Sequence, residues 1–520
     1  MKKIFSILIA LAVSSCLFTA CDLDIAPADS LTGEQMTASP SGLQDILNGC
    51  YATMKDDTDE SNYWWGRQYY QLADFASDDV VYGHETSDDL NMIFRYDERS
   101  SVLGNFRSFW ALNYKLIYSC NVALATIAQK EELTEEDVYL RGEAEFFKAF
   151  CMHALLKNYA KQYDPATASS ELGIILREDS SDSELKDRAS IADSYASIID
   201  LLLKAEKDFQ DGSCPDRESN KGFGSLGAAQ AMLSRVYIFT QDWEKAAEYA
   251  TKVINSGKYE LESAKKFPSY FTETYNRDET IWCMRMIATD DQGSAAVASM
   301  IYNGASGCWG EEGYSKPLLD DMNFENEKYI DVDCRFSFVC APYLKNGLTL
   351  YPCSKHTWQD GIATLCSHPL LRLAEVYLNR AEAYAHLNNQ AGALADLNEI
   401  IDHRMDYEVA ATKGFAPSDY HLTASDIKTN LVDLVLTQKR VELAFEGFRF
   451  YDLVRNKKDI IRNYWGFHTN YVNGQSTGLA PGLGAPGVVT KYDYGRLLCP
   501  IPQQEILNNP ACTQNKAYEQ

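Results

Sequence analysis

The sequence predicts a mainly all-α protein, built on dispersed helical hairpins with long, loop-rich insertions that carry little β structure. Two observations lead there. Residues 102–128, 134–160, 190–209, 225–255, 369–402 and 425–456 repeat apolar residues at spacings of three and four, the period of one helix face. Two of these segments also repeat each other: Ala231–Ile254 reads AMLSRVYIFTQDWEKAAEYATKVI and Leu378–Ile401 reads LNRAEAYAHLNNQAGALADLNEII. At a constant offset of 147, Tyr237 falls on Tyr384, Ala246 on Ala393 and Ile254 on Ile401.

Taken in chain order, Lys2 and Lys3 precede an apolar run, Ile4 to Val13, that is too short to span a bilayer as a helix. A basic start before a short apolar stretch reads as a secretory signal. It ends Leu17-Phe18-Thr19-Ala20-Cys21, which resembles a bacterial lipobox. On that basis residues 1–20 are removed and Cys21 becomes a lipid-bearing N-terminus, each acyl methylene adding about 0.8 kcal/mol of membrane affinity. Ordinary signal cleavage beside a chance cysteine is the alternative. Thr134 and Asp137 form a capping-box pattern, after which Leu140, Ala144, Phe147, Cys151 and Leu155 line one apolar face. In each repeated segment a helix, a polar turn and a second helix with small residues at its start allow close antiparallel approach, which resembles a tetratricopeptide hairpin. Segments 108–128 with 138–160, and 190–209 leading into 225, are degenerate copies. The intervening stretches, roughly 56–100, 261–368 and 463–500, are rich in Gly, Asn, Tyr and Trp.

Charge and composition exclude several functions. The 520 residues carry 48 Lys+Arg against 74 Asp+Glu, a formal charge of −26. That excess repels phosphate backbones, so no nucleic-acid partner is expected, and a basic membrane face is disfavoured too. With 46% apolar residues the chain can bury a sizeable core. No C-x-x-C pair occurs among the 14 cysteines; Cys308, Cys334, Cys340, Cys353 and Cys366 cluster in a loop-rich region where one or two disulfides are open. Gly482-x-Gly484-x-x-Gly487 lacks a preceding strand and contains Pro486, so it is no dinucleotide loop. Asp57-x-Asp59-x-Ser61 opens like a calcium loop, but Asn62 and Gln68 replace its glycine and glutamate. With no H-E-x-x-H present, no catalytic residue, cofactor or metal site is expected. In Gln438–Arg455, Arg440, Glu442, Glu446, Arg449, Asp452 and Arg455 alternate sign around an apolar stripe, a pattern of intrahelical pairs worth a few tenths of a kcal/mol each.

Four ordered blocks resemble the SusD/RagB family of Bacteroidetes outer-membrane lipoproteins. They are Leu43–Met54 (LQDILNGCYATM), Arg141–Tyr159 (RGEAEFFKAFCMHALLKNY), Leu370–Leu387 (LLRLAEVYLNRAEAYAHL) and Gln438–Arg455 (QKRVELAFEGFRFYDLVR). The ending Pro500-Ile501-Pro502, Glu505, Asn509-Pro510, Gln514-Asn515 and Tyr518 completes the set. The resemblance implies a SusD-like fold in which 21–260 and 261–520 pack as one unit. It also implies a non-enzymatic surface lipoprotein that captures an oligosaccharide or polysaccharide and passes it to a SusC-like TonB-dependent transporter. The alternative is a helical-repeat scaffold that binds only a protein partner or peptide cargo.

Sugars present apolar C–H faces rimmed by hydroxyls, so a site needs flat aromatic platforms and polar side chains. Two segments have that composition: Tyr63-Trp64-Trp65-Gly66-Arg67-Gln68-Tyr69-Tyr70 continuing to Asp78-Asp79-Val80-Val81-Tyr82-Gly83-His84, and Tyr302-Asn303-Gly304 through Gly307-Cys308-Trp309-Gly310 to Tyr314. Family resemblance by position points to Arg67, Tyr82, Tyr302 and Trp309, with Tyr82 where a Trp is sometimes found. His84 and Trp65 join them as candidates. Trp64, Trp65, Tyr69 and Tyr70 follow each other too closely to share one face, so at least half belong to the core. Trp110, Trp243 and Trp282 are expected there as well.

Overall fold

In the computed structural model, Thr134, Ser190, Ser225 and Asn430 cap helices within four of the predicted segments, whereas Leu103 and Arg372 precede theirs without a side-chain cap. The structure describes residues 39, 41–55, 64–82, 89–94, 96, 100–345, 348–462, 468–472, 475–480 and 489–519. The signal segment, Cys21, His84, the Asp57 loop and the Gly482 motif lie outside the described residues. Among those described, no helix is long and apolar enough to cross a membrane.

The first helices are α1 (Gly42–Lys55), α2 (Trp65–Asp74), α3 (Gly104–Ala128) and α4 (Glu135–Tyr159). The expected box starts α4: the Asp137 amide donates to Thr134 Oγ1 and the Thr134 amide to the Asp137 carboxylate, each at 3.1 Å. Ser190 caps α5 (Ile191–Asp211) by accepting from the Asp193 amide at 3.0 Å. The single apolar face expected of α4 is an underestimate, because α4 is buried on every side from Gly142 to Tyr159. Some of its polar residues are held by specific partners, as where Glu143 accepts from Arg217 Nε at 2.7 Å.

The repeated segments form two helical hairpins, α6 (Leu226–Thr240) with α7 (Trp243–Asn255), and α8 (Leu373–His386) with α9 (Gln390–Arg404). The offset of 147 extends to the turns. Gln241 and Asn388 occupy equivalent places with φ of 61° and 59°, left-handed residues that end the first helix. The next residues, Asp242 and Asn389, cap the second helix, accepting from the amides of Lys245 at 3.1 Å and Gly392 at 3.0 Å. Packing runs from helix to helix: α3 on α4, α4 on α5, α5 on α6, α6 on α7, α7 on α8 and α8 on α9. The two hairpins are therefore neighbours in space, and residues 256–372 loop out between them.

That excursion is fastened by short antiparallel strands. β1 (Val80–Tyr82) pairs with β3 (Glu312–Tyr314), β4 (Tyr343–Lys345) with β5 (Leu348–Leu350), and β2 (Thr280–Met284) with β6 (His368–Arg372). The protein is thus mostly helical with small sheets. The 12 described cysteines are all free, so the disulfides left open by the sequence do not form; most of these thiols are small buried residues.

The block at 425–456 departs from one continuous helix. It forms α10 (Leu431–Glu442) and α11 (Arg449–Arg455), separated by a sharp turn with φ of 60° at Phe445 and 84° at Gly447. Consequently its charges reach across the fold instead of along one helix. Arg440 binds Asp79 at 2.6 Å and Asp321 at 2.8 Å, and Arg449 binds Asp78 at 2.7 Å. Arg455 pairs with Glu382; its contact with Asp452 at 2.5 Å is an intrahelical pair of the expected kind. A buried cluster forms around Glu442 and Glu446. Arg372 reaches Glu279, Glu442 and Glu446 at 2.7–2.8 Å, and Arg404 reaches Glu279 at 2.9 Å and Glu442 at 2.8 Å. Lys355 reaches Glu446 at 2.7 Å, while Arg335 lies 2.7 Å from Asp333 and 3.5 Å from Glu442. Four cationic groups thus face four carboxylates, and the cluster is neutral as a whole.

Candidate glycan platform

The excursion between the hairpins presents its aromatic residues on two loops. After the short buried turn Ala298–Ile301, residues 302–310 double back: the Trp309 amide donates to Ser299 O and the Glu311 amide to Met300 O, both at 2.8 Å. An isolated bridge joins Asn303 to Trp309. Gly310, at φ 50°, permits the closure, since a Cβ there would lie 2.8 Å from Asn303 Cβ and from Tyr302 O. The doubled loop leaves Trp309 36% exposed. Lys345 donates to its carbonyl at 3.3 Å and lies 3.4 Å from Glu311.

Beside this loop stands Trp358, 41% exposed and held at φ 64° in the turn Thr357–Gly361. The half-buried Tyr302 meets it edge-on, with ring centroids 6.2 Å apart at 88°. Tyr302 thus relates the two exposed tryptophans, meeting Trp358 edge-on and sharing the doubled loop with Trp309, which has Asn303 and Lys345 nearby. Trp358 is not among the candidates read from the sequence. The available signal was its position in a polar Thr-Trp-Gln-Asp-Gly turn, the same context that singled out Trp309.

The candidates of the first segment lie elsewhere. Trp65 is fully buried, stacked 5.0 Å from Tyr69 and donating to Asn113 Oδ1 at 3.0 Å, so it offers no face to a sugar. Tyr82 is buried in β1 with its ring 5.7 Å from that of Phe94. Arg67 is also buried; it reaches the Ala295 carbonyl and the Met300 sulfur, each at 3.5 Å, from beneath the loop that carries Tyr302. These three serve the core or support the platform from behind, because β1 and α2 are covered by the excursion itself. Trp64, Tyr69 and Tyr70 are core residues too, as are Trp110 and Trp282, while Trp243 is half-buried and stacks on His386 at 3.7 Å.

The platform has no activated nucleophile. Burial, then the neighbouring Asp291, pushes the Cys308 thiol up to about 11, leaving it protonated near neutral pH. A separate cleft of about 400 Å³ is lined by Tyr163, Tyr492 and Tyr494 among others. Deeper inside, His356, Cys366 and His368 place possible metal-ligating atoms within 4.8 Å of one another.

Comparison with known proteins gives a consistent picture. The family described as "SusD family" matches residues 343–518, and that described as "Starch-binding associating with outer membrane" matches residues 26–238. SusD-like protein P2 of Formosa agariphila is 23% identical over 98% of this chain and 97% of its own length. SusD-like protein P38 of the same organism is 21% identical over 100% of both. Among solved structures, a SusD superfamily protein from Bacteroides thetaiotaomicron aligns at a TM-score of 0.73 and 24% identity, covering 91% of this chain and 98% of that one. A protein from Bacteroides vulgatus described as a putative sugar binding protein aligns at 0.71 and 22%, covering 92% and 98%.

Proposed function

Because this chain belongs to the SusD/RagB family, we propose that it is a non-catalytic, cell-surface glycan-binding lipoprotein of an outer-membrane uptake system. On this proposal Cys21 carries the lipid anchor, and captured oligosaccharide passes to a SusC-like TonB-dependent transporter. The observation that carries the binding role is the exposed pair Trp309 and Trp358 on two loops of one excursion, with the half-buried Tyr302 edge-on to Trp358. Large aromatic side chains left in solvent are candidates for contact with a partner surface, and flat rings match the C–H faces of sugars. The starch-binding description of the matched family and the sugar-binding description of a structural neighbour agree with that chemistry.

Calorimetric titration of the mature protein against neutral and anionic oligosaccharides tests it. One or more neutral glycans should bind, with affinity lost in Trp309→Ala and Trp358→Ala. Binding that survives both substitutions but is lost in Tyr494→Ala would move the site to the separate cleft lined by Tyr163, Tyr492 and Tyr494. Retention of the transporter with no glycan bound would instead favour a scaffold that recognises protein alone.

A further inference from the structure

At the root of the Trp358 turn, two imidazoles and one thiol converge in the interior. His356, Cys366 and His368 are 0%, 1% and 3% exposed. The Nδ1 atoms of the two histidines are 3.2 Å apart. His356 Nε2 lies 2.8 Å from the Phe445 carbonyl. A carbonyl only accepts, so Nε2 carries the proton and a neutral His356 directs its Nδ1 lone pair at His368. An outer nitrogen bonded to a backbone carbonyl is the arrangement that orients metal-ligating histidines. Two nitrogens on one ion at metal–nitrogen distances of about 2.0–2.1 Å stand roughly 3.5 Å apart at the angle of a three-coordinate ion, within a few tenths of an ångström of the spacing seen here.

The surroundings are dry. Tyr70 packs its ring 4.8 Å from His356 and 5.3 Å from His368, Phe271 lies 5.3 Å from His356, and Trp64 lies 5.8 Å from His368. The Cys366 thiol donates to the carbonyls of Phe271 or Ser367 at 3.2 Å.

We propose that His356, Cys366 and His368 form a three-coordinate site for one soft monovalent metal ion, Cu(I), which clips the base of the loop that presents Trp358. A thiolate is a soft donor that favours Cu(I), and imidazole is a donor that copper accepts. Charge selects the ion further. On binding, the Cys366 S–H bond breaks, its proton leaves to the buffer, and a copper–sulfur bond replaces it; neither copper nor sulfur changes oxidation state. One positive charge replaces another, and the buried site's net charge is unchanged. Zn(II) in the same place would leave an extra positive charge in the interior and lack the fourth ligand it takes in closed structural sites. The ligands bracket residues 357–365, so the ion closes a short loop and limits its conformational freedom. The spacing His-x9-Cys-x-His matches no common metal motif, so spacing alone does not reveal it.

The assignment stands apart from the glycan reading, and its test uses no sugar. The purified protein, under oxygen-free reducing conditions, is titrated with Cu(I) against bicinchoninate. One tight equivalent is expected, weakened at least 100-fold in Cys366→Ser and in His368→Gln. X-ray absorption of the wild-type complex should show two nitrogen neighbours and one sulfur. That measurement keeps the proposal open to refutation even where a variant fails to fold. Absence of a saturable equivalent, or one unaffected by either substitution, overturns the site and leaves the contact an ordinary imidazole hydrogen bond. Zn(II) held more tightly than Cu(I), with the same dependence on the variants, overturns the choice of ion.

Discussion

Replacing Glu442 by Gln removes one negative charge from a balanced, solvent-free cluster. Its carboxylate accepts from Arg372 Nη1 at 2.8 Å, from Arg404 Nη2 at 2.8 Å and from Arg404 Nε at 3.1 Å. Burial alone would raise the Glu442 pKa, but Arg404, Arg372 and Arg335 together hold it far below the usual carboxylate range. An amide is isosteric, so packing is kept while the cations lose their balance. Unbalancing a buried ion cluster in this way costs about 3–5 kcal/mol. With a urea dependence near the upper typical value of ~3 kcal/mol per M, the unfolding midpoint should fall by roughly 1–1.7 M. The pH response has a definite sign. Since the folded pKa is depressed, this contribution is fully present above the unfolded value of about 4.3 and is lost as pH falls from there toward the folded one. In that window wild type should lose stability on acidification more steeply than Glu442→Gln, by up to ~1.4 kcal/mol per pH unit. A midpoint shift below about 0.3 M, or identical acid limbs, would falsify the view that this charge is structurally coupled.

Other consequences are open to measurement. Trp309→Ala and Trp358→Ala should each weaken oligosaccharide binding about 10- to 100-fold, from roughly 1.5–3 kcal/mol of lost contact, with melting temperatures unmoved because both rings are exposed. Trp65→Ala should do the reverse, destabilising the fold by about 3–5 kcal/mol in chemical denaturation through a core cavity. Gly66→Ala places a Cβ 2.1 Å from the Trp64 ring and 2.4 Å from Met284 Cε. Overpacking of that kind costs about 1–3 kcal/mol, and an unchanged melting curve would contradict the close approach. Thr134→Ala removes the cap of α4 and should cost about 1 kcal/mol, read in the same unfolding assay.

What the sequence made legible follows the range of the forces involved. Helices and caps are local, so Thr134–Asp137 and the recurrence of Asp242 at Asn389 could be read directly. Tertiary charge pairing is not local. The alternating signs of Gln438–Arg455 suggested pairs along one helix, but the turn at Phe445 redirects them to partners far away in the chain. Aromatic platforms follow the same rule. Tyr82 and Trp309 each sit beside a glycine in sequence, yet Tyr82 is buried against Phe94 and Trp309 is left open. Only the path of the excursion decides between them.

The buried charges and the exposed rings are parts of one mechanical chain. Arg372 and Lys355 both hold Glu446, immediately after the left-handed Phe445. Lys355 also donates to the Ala444 carbonyl at 2.8 Å, and its neighbour His356 hydrogen-bonds the Phe445 carbonyl at 2.8 Å. Trp358 follows two residues later. Phe445 is held in a conformation that costs a non-glycine residue of order 1–3 kcal/mol, which persists because surrounding contacts over-determine it. Those contacts include the ones that anchor the start of the Trp358 turn. A substitution such as Lys355→Met therefore separates two kinds of recognition. If the platform works as a pre-set surface, loosening its anchor should weaken glycan binding without touching any sugar contact, because ordering the loop is then charged against each binding event. If affinity in Lys355→Met instead matches wild type while stability falls, the turn is held by its own hydrogen bonds and the cluster serves the fold alone.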